Sequence, residues 1–199
     1  RARSVAQGTW GSIGAGHQLI WIGRDQVLDW EQSSGNYRVW VYDANAHGDR
    51  DVFPQIAAKG TWSSIASTKR LIPLGDDRVL DWEPSTGAYR VWRWDFTPSG
   101  DPLPGGPWCE GAWGTIRDGH ELIHCGGDYV LDWKPSSGNY RLWVYDRNAR
   151  GSSDPFPREA AAGNWASIRD GHVLLNLERA RILDWEPGSG AYRIWAFAA

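Results

Sequence analysis

The sequence has no methionine, only two cysteines and no long apolar run. Two cysteines cannot define a disulfide framework by themselves. No stretch approaches the roughly 18 consecutive apolar residues that a membrane-spanning helix needs, so we expect no membrane insertion. Because even an initiator methionine is missing, we expect the chain to be processed or to be a piece of a longer product.

The sequence also lacks a strong charge of either sign. Its 21 lysine and arginine residues stand against 24 aspartate and glutamate residues, which gives a formal net charge of -3 and an isoelectric point near 5.9. A nucleic-acid backbone would meet little general attraction from such a surface, so we expect no nucleic-acid partner. Only three of the basic residues are lysines, which we interpret as the bias of a GC-rich bacterial genome.

Tryptophan is abundant instead, and most of the 15 tryptophans belong to an internal repeat. Three motifs, Gly-x-Trp, Leu-Asp-Trp and Tyr-Arg-x-Trp, each recur four times at intervals of 51 or 52 residues. They begin at Gly8, Gly60, Gly111 and Gly163, at Leu28, Leu80, Leu131 and Leu183, and at Tyr37, Tyr89, Tyr140 and Tyr192. A fixed period of about 50 residues is typical of repeat architectures such as propellers.

Each copy predicts four short strands, which in the first copy fall near 9–13, 18–23, 26–31 and 36–43. The breaks between them have turn composition, and the strands are rich in residues that suit a pleated, buried surface. A longer connection follows, such as 44–59, which has room for one turn of helix.

The third and fourth strands of each copy can be set in register from the turn between them. A four-residue turn places Trp30 opposite Tyr37 on one face, and an aspartate opposite an arginine on the other. The same nine-residue offset recurs in every copy. We therefore predict four equivalent cross-strand ion pairs: Asp29–Arg38, Asp81–Arg90, Asp132–Arg141 and Asp184–Arg193.

Sheets that are apolar on both faces can be covered by radial packing. We therefore predict an all-β fold, a four-bladed β-propeller of four-stranded antiparallel blades, in one domain over residues 1–199. The segment 1–7 aligns with the end of the connection that the fourth copy lacks, so we expect the chain termini to close the ring. The predicted copies run from about 8–59, 60–110, 111–162 and 163–199, the last completed by 1–7.

Two family resemblances accompany the repeat. The first copy contains, in order, Trp10, Ile13, Gly16, Leu19, Ile22, Val27, Trp30, Gly35, Tyr37 and Arg38. This order resembles the tectonin-type repeat, whose propellers include glycan-binding lectins. The blade number, the length and the Phe-Pro connectors at 53–54 and 156–157 resemble the hemopexin-like domain, a four-bladed propeller that binds proteins, ions or haem. The resemblances imply an architecture, and a fold does not fix a function.

Three sets of polar residues are candidates for ligand contact. One histidine follows a glycine in the same loop of three copies, with Lys69 in the second copy, and a ring of such side chains at a propeller mouth could bind a metal or an anion. One aspartate shares the next loop in three copies, without an obvious partner, and Ala180 breaks that series. For both sets a structural role in the turn is the alternative. The candidates are His17, His120 and His172, with Asp25, Asp77 and Asp128.

The third set of candidates distinguishes odd copies from even ones. Asn36 and Asn139 match in the odd copies, where Ala88 and Ala191 stand in the even ones. This alternation indicates that a two-repeat unit was duplicated. Distinct binding sites would then come in pairs.

The tryptophan columns and the paired carboxylates also invite functional interpretations. Repeated tryptophans could stack on sugars, although packing between blades is the alternative, and Trp21, Trp94 and Trp108 lie outside the columns. Asp29 and Glu31 would suit a glycosidase, but an aspartate that faces an arginine stays ionised and acts poorly as a general acid. No nucleophile elbow, phosphate-binding loop or zincin motif is present. We expect no enzyme activity and no cofactor, apart from an ion that a central channel could hold.

The two cysteines have two interpretations. If residues near Asp118 form a hairpin turn, Cys109 and Cys125 lie across from one another, and a disulfide between them would favour an exported protein. Otherwise they are two small buried thiols.

Together these features favour a non-catalytic, lectin-like carbohydrate-binding protein with several related sites, reinforced by multivalency. Glycans or glycoconjugates would be its partners, it would be secreted or lie on the cell surface, and association into a homodimer stays open. The alternative is a hemopexin-like module that binds a protein or an ion. A third interpretation is a domain of a larger secreted enzyme.

Overall fold

A computed structural model describes residues 4–97, 100–177 and 181–196. Fifteen strands form over these ranges, and none of their residues is helical. The strands are β1 His17–Gly23, β2 Gln26–Glu31, β3 Asn36–Val41, β4 Gln55–Thr61, β5 Arg70–Pro73, β6 Arg78–Glu83, β7 Ala88–Arg93, β8 Cys109–Ala112, β9 Glu121–His124, β10 Tyr129–Lys134, β11 Asn139–Val144, β12 Arg158–Asn164, β13 Val173–Asn176, β14 Arg181–Glu186 and β15 Ala191–Ala196.

The strands form four antiparallel sheets in which neighbours in sequence are neighbours in space. We call them blade 1 (β1–β4), blade 2 (β5–β8), blade 3 (β9–β12) and blade 4 (β13–β15). Blades 1 to 3 have four strands and blade 4 has three among the described residues. The chain is therefore all-β and is built from four blades of the β-propeller type, as the repeat predicted.

Two compact units make up the chain. The smaller unit holds blade 1 with the segment 93–105, and the larger holds blades 2 to 4. The prediction of a single domain stays a prediction.

In the larger unit, the core lies between successive blades. One cluster of buried residues joins blades 2 and 3 around Trp82, Val130 and Phe156. A second cluster joins blades 3 and 4 around Trp133 and Ile182. The inner strand of blade 3 lies beside the inner strands of blades 2 and 4.

The tryptophans of the Leu-Asp-Trp motif are buried in three blades. Trp30, Trp82 and Trp133 are completely buried. Trp94, outside the repeat columns, is also buried and donates from Nε1 to Oε1 of Gln26 over 2.9 Å. Packing, rather than contact with a ligand, accounts for these four tryptophans.

The predicted register within the second hairpin is confirmed in three of the four copies. Asp29 lies opposite Arg38 and Trp30 opposite Tyr37 in blade 1. The matching pairs lie opposite one another in blade 3 and in blade 4. Strand alternation therefore separates an aromatic face from a face that carries the ion pairs.

The outermost strand of each blade was predicted wrongly. Residues 9–13 do not form a strand, and the connection 44–59 has no helix but ends in β4, which pairs with β3. Tyr37 explains this pairing, because its ring packs beneath Gly60 in β4, where a Cβ atom would lie 2.7 Å from the tyrosine Oη. Trp62 then stacks on the same ring, with centroids 4.0 Å apart. A Gly-x-Trp motif thus completes the blade that precedes it in the sequence.

The disulfide prediction fails for the same reason. Cys109 lies in β8 of blade 2, where it pairs with Val91, so it forms no hairpin with the blade-3 strand that precedes Cys125. Both thiols are free and buried, in two different core clusters. Burial raises the pKa of Cys109 to about 11 and the pKa of Cys125 to about 12.

Blade 4 differs from the others at its outer edge. Every residue of β15 is exposed, and no fourth strand joins this sheet within the described residues. Closure of a ring by the termini stays a prediction.

The buried thiols of Cys109 and Cys125 should resist chemical modification in the folded protein. At about pH 8, a thiol with a raised pKa is almost entirely neutral, and the thiolate is the reactive form. We expect negligible reaction of the native chain with a thiol reagent, and two reactive thiols per chain in denaturant without reductant. Finding no thiols in denaturant would show that Cys109 and Cys125 are bonded after all.

The packing of tyrosine beneath glycine should be sensitive to a single methyl group. A Cβ atom at Gly111 would lie 2.6 Å from the Oη of Tyr89, a buried residue that stacks on Trp113. We expect Gly111→Ala to lower the free energy of unfolding by about 2 kcal/mol, because a packed ring cannot retreat. The control is Gly114→Ala, where a Cβ meets no atom within 4 Å; equal destabilisation by both variants would contradict the account.

Candidate functional site in blades 1 and 3

A buried aspartate on the polar face of each blade organises the side chains around it. In blade 1, Oδ1 of Asp29 lies 2.6 Å from Nδ1 of His17. Its Oδ2 accepts from Nε of Arg38 over 2.8 Å and from Nε1 of Trp40 over 3.3 Å. The carboxylate is buried, so these partners offset the cost of removing its charge from water.

The same cluster recurs in blade 3 and in part in blades 2 and 4. Asp132 contacts His120 over 2.6 Å and Nε of Arg141 over 3.1 Å. In blade 2, Arg90 donates to Asp81 over 2.7 Å, and Lys69 stands where the other copies have a histidine.

The fourth predicted ion pair is not among the ion pairs of the described residues. Asp184 contacts His172 over 2.6 Å, but Nη1 of Arg193 donates to Oγ of Ser167 over 3.2 Å instead. Arg193 lies on the exposed strand β15, which no outer strand joins within the part of the chain that the structure describes. The prediction of four equivalent ion pairs is therefore wrong for blade 4.

Two matched clefts open beside these clusters, one in blade 1 and one in blade 3. Their volumes are about 470 Å³ and about 390 Å³. Each is lined by the histidine, aspartate and arginine of the cluster, by the tyrosine of the Tyr-Arg motif, by an asparagine and by the glycine of the outer strand. Among the predicted candidates, the structure thus brings His17 together with Asn36, and His120 together with Asn139.

The rim of the blade-1 cleft is a connected set of polar groups. Oε2 of Glu31 accepts from Nδ2 of Asn36 over 3.0 Å, and Oδ1 of Asn36 accepts from Oγ1 of Thr61 over 2.7 Å. Hydrogen bonds from Ser34 and Asn36 to Glu31 lower the pKa of this carboxyl below its usual value. Lys59 completes the rim, so the cleft offers an anion, a cation, an amide and a hydroxyl.

The blade-3 cleft has the same histidine, aspartate, arginine, tyrosine and asparagine as the blade-1 cleft, but the charged residues at its rim differ. Lys134 stands where blade 1 has Glu31, and Ala162 stands where blade 1 has Lys59. Nδ2 of Asn164 donates to Oδ1 of Asn139 over 2.7 Å, in place of the threonine hydroxyl. The two clefts therefore share a shape and differ in the groups that would meet a ligand.

The aspartates of the second loop lie elsewhere. Asp25 precedes β2, whereas the blade-1 cleft lies near the turn that follows β2. The length of this strand, about 20 Å, therefore separates Asp25 from the cleft. Asp77 pairs with Arg78, and Asp128 pairs with Arg147. The expectation that these loop aspartates lack a partner is therefore wrong for two of the three.

His172 and Trp21, which lies outside the repeat columns, line neither cleft. His172 contacts its aspartate as the other two histidines do, but Ala191 replaces the asparagine there. Trp21 is exposed on β1 and meets Tyr42 edge to face at 5.9 Å.

Sequence reasoning missed the lining residues that the outer strand contributes, Lys59 and Thr61 above all. The repeat pattern assigns Lys59 to a connection and Thr61 to the next copy. Only the pairing of β4 with β3, which sets Lys59 opposite Arg38 and Thr61 opposite Asn36, brings them to the cleft.

No group of three or more histidine, cysteine, aspartate or glutamate side chains could hold a metal ion within residues 4–97, 100–177 and 181–196. The same residues include no helix with the length and apolarity to cross a bilayer.

Removing the charge of one central aspartate should destabilise its blade. Asp132→Asn leaves the Arg141 guanidinium facing a neutral amide in a buried setting, so we expect a loss of about 3 kcal/mol in the free energy of unfolding. Chemical denaturation of the variant and of Asp118→Asn, at an exposed position, measures the difference. If Asp132→Asn unfolds at the same denaturant concentration as the control, the cluster does not stabilise the blade.

No protein-family model matches the chain, and no curated protein matches it. Solved structures that resemble it include the β-propeller domain of Cps50 (Swd1) from Myceliophteria thermophila, at 15% identity and a TM-score of 0.46, over 92% of this chain and 55% of that one. A putative 6-phosphogluconolactonase from Bacteroides fragilis is similar at 12% identity and a TM-score of 0.39, over 88% of this chain and 55% of that one. The chain thus spans about half the length of the structures that it matches, and nothing about its function follows from them.

Proposed function

We propose that this chain is a non-catalytic carbohydrate-binding protein, and that its sites are the two clefts of blades 1 and 3. The observation that supports the proposal is the duplication itself: one framework of histidine, aspartate, arginine, tyrosine and asparagine borders an open cleft in both odd blades. The even blades keep the aspartate but have alanine in place of the asparagine.

The clefts suit a ligand rich in hydroxyl groups. A sugar hydroxyl both donates and accepts, and so it pairs with amides, carboxylates and ammonium groups alike. In blade 1, Asn36, Glu31 and Lys59 supply these three kinds of group at one rim. The buried ion pairs behind the rim hold it in place, which lowers the entropy lost on binding.

The same geometry supports binding without catalysis. A glycosidase needs a carboxylic acid that is protonated at working pH and a second carboxylate at a set distance. Hydrogen bonds lower the pKa of Glu31, so it stays ionised, and Asp29 is buried between His17 and Arg38. In blade 3, Lys134 replaces the glutamate, so that cleft lacks the carboxylate pair.

Two related sites in one chain would act together on a ligand that repeats. Weak single contacts gain strength when both sites can engage one glycan or one surface. Because the clefts differ in charge, we expect them to bind the same sugar with different affinities. The proposal thus describes a bivalent lectin-like protein.

Replacing the cleft asparagine of each odd blade with the alanine of the even blades tests this function. Asn36→Ala and Asn139→Ala install the residue that blades 2 and 4 already carry, so both variants should fold with an unchanged melting temperature. A glycan array identifies a ligand, and calorimetry with that ligand should show two sites in the native chain, one in each single variant and none in the double variant. We expect each single change to weaken its own site about tenfold or more.

The matched controls are Asn45→Ala and Asn148→Ala, two exposed asparagines at equivalent positions outside the clefts. They should leave sugar binding intact. Absence of any glycan ligand, or binding that the double variant retains in full, would contradict the proposal. If the chain instead binds an ion or a protein, and a chelator abolishes this binding, the result would support a hemopexin-like module.

A further inference from the structure

One position at the rim of the clefts distinguishes blade 3 from the other three blades. The residue that directly follows the Leu-Asp-Trp motif is a glutamate in blades 1, 2 and 4, namely Glu31, Glu83 and Glu186. In blade 3 the same position is a lysine, Lys134. The same four-copy framework therefore folds with either sign of charge at this position, and blade 3 alone carries the positive one.

The Lys134 side chain lies in the blade-3 cleft, close to His120. Lys134 follows Asp132 by two residues in β10, so strand alternation places both on the polar face. A Cβ atom built at Gly119 would lie 3.9 Å from Cε of Lys134, so the lysine stem passes the residue that precedes His120. Within the described part of the chain, no carboxylate pairs with the Lys134 ammonium group, which leaves its charge to a ligand in the cleft.

The other charged residues that line this cleft are committed to one another. Among its described lining residues, Asp132 is the one carboxylate, and it is buried. Its oxygens contact Nη2 of Arg141 over 2.8 Å and Nδ1 of His120 over 2.6 Å. Arg141 also donates from Nη1 to Oγ1 of Thr115 over 3.2 Å. Because Asp132 and Arg141 balance each other, Lys134 gives the cleft its net positive charge.

A second cation borders the same cleft. Nη2 of Arg169 donates to Oδ1 of Asn164 over 3.4 Å, and Nδ2 of Asn164 donates to Oδ1 of Asn139 over 2.7 Å. Two hydrogen bonds thus connect this guanidinium to the cleft asparagine. Blade 1 has Ala66 at the position of Arg169, so this charge is also particular to blade 3 among the two clefts.

The blade-1 cleft has no such excess of positive charge. Its rim carries Glu31 and Lys59, one charge of each sign. The glutamate is held at the rim, because it accepts hydrogen bonds from Ser34 and Asn36. An anionic ligand in this cleft would meet the like charge of Glu31, and such a juxtaposition costs affinity.

We propose that the blade-3 cleft selects acidic sugars, whose carboxylate pairs with Lys134, whereas the blade-1 cleft favours neutral sugars. This selectivity rests on the proposed function, because it names the class of sugar that one of the two sites takes. A hydrogen bond between an ammonium group and a carboxylate is roughly twice as strong as one between neutral groups. An acidic sugar would keep the contacts of its ring hydroxyls with Asn139 and His120 and would add a charged one.

Matched pairs of sugars measure this selectivity. An array that displays each hexose beside its hexuronic acid compares ligands that differ only in the carboxylate. The Asn36→Ala variant reports on the blade-3 cleft, because that change weakens the blade-1 site. We expect the acidic member of a bound pair to bind this variant about fivefold more tightly at low salt. The preference should shrink as salt rises from about 0.01 M to about 1 M, because the screening length falls from about 30 Å to about 3 Å.

Exchange of the rim charge assigns the selectivity to a residue. Lys134→Glu installs the glutamate of the other three blades, so the chain should fold with an unchanged melting temperature. In the same background, it should lower the ratio of acidic to neutral affinity about tenfold or more. Glu31→Lys, combined with Asn139→Ala, should raise this ratio at the blade-1 cleft. The control Arg158→Glu makes the same change of charge at an exposed residue, at the end of β12 away from the cleft, and should keep the native ratio.

The possible results separate this selectivity from the proposed function. Equal affinity for both members of every bound pair, or a preference that Lys134→Glu retains, would overturn the selectivity and leave sugar binding intact. A native chain that binds no sugar on the array would overturn both. Acetate supplies a carboxylate without a sugar ring and should not displace the acidic sugar at equal concentration. Displacement by acetate would show a site for small anions and would also overturn the proposal.

Discussion

The structure depends most on one small join, in which a tyrosine ring packs beneath a glycine and against a tryptophan. The join links the third strand of a blade to an outer strand that arrives after a long connection, and so it decides where each blade ends. An aromatic stack contributes about 1 kcal/mol beyond the area that it buries, but its geometric effect is larger. It fixes the register that sets Lys59 and Thr61 beside Arg38 and Asn36. Without this register the blade-1 cleft would have only one wall.

The second constraint lies on the opposite face of the same strands. A buried aspartate such as Asp29 is held by an arginine from β3 and a histidine from β1, so it ties together three strands. Removing such a charge from water is costly, and only a full set of partners offsets the cost. The partners are then committed to structure, whereas the asparagine at the rim, Asn36 or Asn139, is exposed and free to vary between odd and even copies. A rigid repeated base with a variable rim suits selective binding.

The sequence allowed the fold class and the central hairpins to be predicted, because both depend on local signals. The pairing of Asp29 with Arg38 follows from a short turn and strand alternation alone. The outer strands could not be found in this way, because β4 reads Gln-Ile-Ala-Ala-Lys-Gly-Thr, a run without the pattern of a strand, and its partner lies across a long connection. The wrong disulfide and the missed Lys59 both follow from that single error. Asn36 and Asn139 were found because copies can be compared within one chain, which shows where the repeat has been allowed to differ.

Hydrogen–deuterium exchange of the dilute chain tests the central claim most directly, because it measures which backbone amides are held in strands. The account predicts that the outer strands β4 and β8 exchange slowly, together with the strands that they join. Fast exchange throughout 55–61 and 109–112, at the rate of an unstructured connection, would contradict it.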